Sequence, residues 1–154
     1  MPNLFYMTVS FVYHTALALW VGGAIVLGAL TAPELFRRLQ RADAGTIFGT
    51  ILRRFSRVRL GAIVLALIAA GVKHVEWERH ASSPWIAARW VFLVLLSAIV
   101  LYEISYLEPV MGRLRGRMRG DDDPARAEFM RLHRRSEGLM KVSLFAALAA
   151  VFLA

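Results

Sequence analysis

Cysteine is absent from the 154 residues. Disulfide bonds, thiolate metal sites and a cysteine nucleophile are therefore excluded. Acidic side chains are scarce: 11 Asp and Glu stand against 19 Lys and Arg, for a formal charge of +8. The cations lie between hydrophobic runs instead of covering a soluble face, which argues against nucleic acid as the partner. No nucleophile elbow, phosphate-binding glycine loop, dinucleotide fingerprint or zinc signature occurs. There is no low-complexity linker. The length suits one domain, with no room for a soluble catalytic domain beside the apolar segments.

Apolar residues are in excess. They make up 58% of the chain, against about 45–50% in an ordinary soluble domain. Crossing ~30 Å of hydrocarbon takes ~20 such residues. Four stretches reach or approach that length, at about 4–32, 58–79, 85–107 and 139–154. The first run has no basic residues ahead of it and is too long for a signal-peptide core of about 7–15 residues. It is expected to remain as the first span. The predicted fold class is all-α, an integral membrane four-helix bundle built from two helical hairpins in one domain.

Arginine placement orients the bundle. The connection between spans one and two holds Arg37, Arg38, Arg41, Arg53, Arg54, Arg57 and Arg59. The connection between spans three and four holds Arg113, Arg115, Arg117, Arg119, Arg126, Arg131, Arg134 and Arg135. Between spans two and three stand only Lys73 and Arg79, beside Glu76 and Glu78. By the positive-inside rule the two arginine-rich connections are cytoplasmic and both termini lie outside a bacterial inner membrane. Trp77, Trp85 and Trp90 fit an outer aromatic belt. Asp43 reads as the N-cap of a helix starting near 44, and Asp123 with Pro124 as the cap and first position of a helix starting near 124. At ~1.5 Å per residue the last helix would be ~46 Å long, so the helices are expected to extend into the cytoplasm. The turn of the second hairpin falls near Gly120. Pro33 and Pro109, Asp43 and Asp123, and Leu52-Arg54-Ser56 and Leu132-Arg134-Ser136 recur at matching offsets. This is either a parallel repeat or a coincidence between two arginine-rich turns.

An ionisable residue inside a span is costly and is a functional candidate by default. His14 is either a heme, metal or proton ligand, or a structural histidine bonded to a neighbouring hydroxyl or carbonyl. Glu103, flanked by Tyr102 and Tyr106, is either a substrate or proton site or half of an ion pair with Lys141 or Arg59. His74 could join His14 as a bis-histidine heme pair if the first span begins near Thr8, but not if it begins near Leu4. His80 reads as a solvated loop residue. Arg53, Arg54, Arg57, His133 and Arg134 form either a solvated face or a basic pocket for an anionic lipid headgroup or acidic small molecule. Asp121, Asp122 and Asp123 read as a cap and turn, since adjacent carboxylates do not converge on one ion. Gly22, Gly23 and Gly28, with Ala62, Ala66 and Ala70, offer small faces for close helix approach. A hinge at Gly22–Gly23 is the alternative.

The stretch His14, Trp20-Val21-Gly22-Gly23 and Ala32-Pro33-Glu34-Leu35-Phe36, the arginine-rich turn, and the later Leu132, His133 and Ser136 resemble the bacterial domain of unknown function 4149. That family is related to eukaryotic transmembrane protein 205. The likeness covers nearly the whole chain and implies four spans and no established activity. The first helix is also similar to that of HemJ-type protoporphyrinogen oxidases, which are four-helix heme proteins, and to the copper-resistance protein D membrane domain. Both have a histidine shortly before a tryptophan and glycines, which implies His14, Trp20 and Gly23 as matching positions and heme b as the cofactor. The HemJ-type pattern has further histidines and a lysine, whereas residues 85–107 hold no histidine. The expected function is a non-catalytic ligand-binding or accessory subunit taking heme, metal or lipid. The alternatives are a heme-dependent oxidoreductase and a small oligomeric ion or metabolite transporter. Expected partners are the bilayer, anionic headgroups and further copies or a larger membrane complex.

Overall fold

The computed structural model describes residues 4–81, 83–117 and 124–154. Among these residues there is no strand. The helices are α1 (Leu4–Ile25), α2 (Ala32–Arg38), α3 (Arg41–Lys73), α4 (Pro84–Tyr102), α5 (Glu108–Arg117) and α6 (Pro124–Phe152). Three π-helical segments, Val26–Thr31, His74–Glu78 and Glu103–Leu107, extend or join them. The result is four rods, of which Leu4–Arg38, Arg41–Glu78 and Pro84–Arg117 are long and apolar enough to cross a membrane. The fourth, α6, is basic over its first half and apolar over its second.

Two of the π segments have a local cause. Each lies immediately before a proline, Pro33 in α2 and Pro109 in α5. Proline supplies no N–H and its ring collides with the carbonyl four residues back. A wider turn just upstream relieves both problems without ending the rod. Both halves of the chain therefore share one element order: long helix, π segment, proline-bearing short helix, then a second long helix.

Helix α3 begins at Arg41, earlier than an Asp43 cap predicts. Gln40 occupies the cap position without a side-chain bond, and Asp43 lies in the first turn, where a carboxylate favours the helix dipole. Pro124 opens α6 at the expected position. Gly120 and Asp121 to Asp123 lie outside the described residues.

α1 lies against α3 and α6, and α4 against the same two helices, so the rods form a ring. α1 and α4 contribute bulky core residues, including Tyr13, Leu17, Trp20, Leu93 and Leu96. α3 and α6 contribute small ones: Ala62, Ala66, Ala69 and Ala70, and Ala146, Ala147 and Ala150. Alanine faces let backbones approach closely, and the large side chains fill the remaining space. Gly22 and Gly28 face open space, and Gly23 alone of the three glycines has a side chain against it, from Phe55. The outer surface is also apolar, with Phe11 70%, Val91 65% and Phe145 72% exposed. A smaller cluster of Leu107, Leu114 and Leu132 joins α5 to α6 at the arginine-rich end.

Candidate functional site

The interior of this apolar bundle holds charged side chains, which are costly unless paired or otherwise compensated. Arg59 of α3 and Glu103, the first residue of the third π segment, meet with Nη2 2.6 Å from Oε2, and their side chains are 2% and 4% exposed. The guanidinium also donates from Nη2 to Ser56 Oγ at 2.9 Å, and Nη1 lies 3.9 Å from Met140 Sδ. Ser56 Oγ donates in turn to the Leu52 carbonyl at 3.1 Å. The rings of Trp20 and Phe55 each stand 5.4 Å from the guanidinium carbon. Gly23 makes this box possible, because a Cβ there would overlap the Phe55 ring. Trp20 and Gly23 thus lie one turn apart on α1 and together house one arginine of α3.

Glu103 therefore pairs with Arg59, while Lys141 is exposed on α6. Tyr102 and Tyr106 stack on each other, 5.4 Å apart, but are 37% and 49% exposed. They face away from the carboxylate that they flank in sequence. Tyr102 instead borders a shallow cavity of about 480 Å³ with Arg135, Gly138 and Leu139.

A second pair closes the other end. Arg89 of α4 grips Glu78 with both terminal nitrogens, Nη1 to Oε1 at 2.9 Å and Nη2 to Oε2. This forked geometry is the strong form of the interaction. Arg89 is 2% and Lys73 3% exposed. Lys73 Nζ lies 5.6 Å from the rings of both Tyr6 and Tyr13, and the Tyr13 hydroxyl donates to the Ala150 carbonyl at 2.9 Å. The two pairs are reciprocal: the α3 rod supplies Arg59 and Glu78, the α4 rod Arg89 and Glu103, and both glutamates lie in π segments. Along the chain Lys73 counts with the connection between spans two and three, and Arg89 has no expected role. The missed signal was an arginine five residues into an apolar span.

The histidines lie elsewhere. His14 is exposed on the outer face of α1, with Nδ1 2.6 Å from the Ser10 carbonyl. His74 is also exposed and meets Trp90 edge-on at 6.2 Å. Trp20, fully buried in the Arg59 box, stays on a different face from His14. The structure does not bring these three together. Among the described residues no group of three or more His, Asp or Glu converges as a metal site would. His80 is exposed in an open depression with Glu76, Trp77 and Arg79.

At the arginine-rich end, Arg53, Arg54, Arg57 and Arg134 are exposed. His133 lies 3.2 Å from Glu137 and stacks on Phe129. A further cation there is Arg115 of α5, 5.2 Å from the Phe129 ring. It fills the space that glycine leaves at position 49, where a Cβ would overlap its guanidinium.

Rods of this length and apolarity, with two buried ion pairs and a lysine boxed by tyrosine rings, define a helical protein of the membrane-embedded type. The family model described as domain of unknown function (DUF4149) matches residues 15–119. The chain belongs to this family. The match takes in Trp20, Gly23 and both ion pairs, and begins just after His14. No curated protein and no solved structure gives a match.

Proposed function

We propose that this chain is a four-span inner-membrane protein that serves as a non-catalytic ligand-binding or accessory subunit, with anionic lipid headgroups as ligands at its cytoplasmic end. The observation that carries this reading is the asymmetry of charge. Cations inside the bundle are neutralised or boxed by aromatic rings, whereas Arg53, Arg57 and Arg115 at one end touch no carboxylate among the described residues. In the bilayer that end faces the anionic inner leaflet, where each cation near the surface contributes about 1 kcal/mol. Arg135 beside the open cavity at Tyr102 offers a second headgroup contact next to an apolar groove. α3 with its π segment, 38 residues long, spans about 57 Å, far more than the ~30 Å of hydrocarbon. The excess is taken as cytoplasmic extension, with both termini outside.

The test is a pair of measurements. Reporter fusions at Gly120 should report cytoplasm and at Ser82 periplasm. Native mass spectra from mixed-lipid discs should retain phosphatidylglycerol over phosphatidylcholine, with retention lost in Arg53→Gln/Arg115→Gln. Reversed reporters would sink the orientation, and equal retention of both lipids would sink the ligand.

One observation favours a second reading, a heme or metal held by His14 as in the HemJ-type resemblance. Donation from Nδ1 to the Ser10 carbonyl leaves Nε2 as the bare lone pair, the arrangement of ligating histidines. His14 is exposed on the outer face of the bundle, and His74 packs on Trp90, so in this reading the second ligand comes from another chain. Absorption spectra of the detergent-purified protein, oxidised and reduced, with His14→Ala alongside, decide it. A Soret band lost in the variant supports this reading, and a flat spectrum from heme-replete cells ends it.

A further inference from the structure

The inner ion pair is incompletely bonded, and the shortfall has a chemical pattern. Trp20, Arg59 and Glu103 are 0%, 2% and 3% exposed. The Trp20 indole N–H and the Arg59 Nε–H have no acceptor, and Glu103 Oε1 receives no hydrogen bond, while Oε2 is held by Arg59 Nη2 at 2.6 Å. These atoms belong to three side chains in one place, since Arg59 touches both of the others. Unmet buried polar groups are costly, so two donors and one acceptor left together mark a place where something else bonds.

We propose that the Trp20–Arg59–Glu103 centre is a binding site for a small uncharged guest that both donates and accepts hydrogen bonds, with water the smallest that fits. An anion is disfavoured by Glu103 and a cation by Arg59, while an apolar guest would leave all three atoms unmet. A buried water forms about three bonds to such otherwise unsatisfied groups, which this centre supplies from both sides. The outer pair differs. There the Arg89–Glu78 fork is closed and only Arg89 Nε is left over, so the guest belongs to the inner pair. Ser56, bonded to Arg59, lies beside the exposed Arg57 on the same helix, which sets the centre near the aqueous phase at the arginine-rich end.

This inference rests on the membrane reading above, and the experiment separates the two. The full chain is placed in phospholipid discs with 15N-labelled tryptophan and moved from H2O to D2O. The four indole signals are followed, with Trp20 identified by its loss in Trp20→Phe or, should that variant misfold, by backbone connectivity. If water is the guest, the Trp20 indole shows a water cross-peak and exchanges within about tenfold of exposed Trp85. If the guest is a retained small molecule, Trp20 is protected, and the native mass exceeds chain plus lipid by an amount released on unfolding. Protection of Trp20 by more than about a thousandfold relative to Trp85, with no extra mass, overturns the proposal. A chain that stays in the aqueous phase without discs or detergent overturns the membrane reading instead.

Discussion

Glu103→Leu is expected to lower the stability of the folded protein by about 3–5 kcal/mol, the cost of removing one partner of a buried ion pair. The variant leaves the Arg59 guanidinium 2% exposed, held only by Ser56, the Met140 sulfur and two ring faces. Adding Arg59→Met should recover most of the loss, because apolar replacement of both partners is often neutral or better. Unfolding in mixed micelles, followed by circular dichroism, measures both variants. The exposed pair of Glu34 and Arg37, 2.7 Å apart with side chains 44% and 71% exposed, serves as the control. Glu34→Ala should cost about 0–1 kcal/mol, since solvent screens such pairs. Equal losses for Glu34 and Glu103 would sink the assignment of the inner pair as a structural centre.

Glu78→Ala is the second large effect, about 3 kcal/mol, near the lower end of the range for breaking a buried pair. Glu78 is the less buried partner, at 16% side-chain exposure against 2% for Arg89, which places the expected loss there. Its removal strips Arg89 of both forked bonds and leaves it near Lys73, a second buried cation. The α3–α4 hairpin should open at its turn, so cleavage after Arg79 by trypsin should accelerate. The inner and outer pairs lie roughly 28 Å apart along the α3 rod, at ~1.5 Å per residue from Arg59 to Glu78. Their losses should therefore add to within about 0.5 kcal/mol. A clear departure from additivity would mean that the hairpin responds as one unit and not as two separate clamps.

Both expectations concern residues that sequence reading weighed unevenly. Glu103 was legible as a costly charge inside an apolar run, and Arg59 as one of its possible partners. That Arg59 and not Lys141 takes the role depends on rotation about the helix axes. Trp20 is legible only as part of a resemblance, and Gly23 beyond that only as a small residue for close helix approach. Their physical task, housing Arg59 with Phe55, joins residues from two helices and has no one-dimensional trace. His14 and Trp20 share a helix but lie on different faces, so a motif read along the chain does not become a site in space. At the end where Arg53, Arg54, Arg57, His133 and Arg134 are expected to cluster, Arg115 is a further cation, set in the space left by Gly49 and against the Phe129 ring.

The all-helical class, the apolar rods, the two arginine-rich connections and the start of α6 at Pro124 are all legible along the chain. Run length, charge position and proline chemistry are properties of the chain read in order. Only the tertiary structure decided which face of each rod looks inward. In a soluble helix the polar stripe marks the outside. Here Phe11, Val91 and Phe145 on the outer surface are as apolar as Leu17 and Leu93 in the core, so hydrophobic periodicity could not distinguish the two faces. The inward turn of Arg59, Lys73, Arg89 and Glu103, and the outward turn of His14, follow from packing between rods.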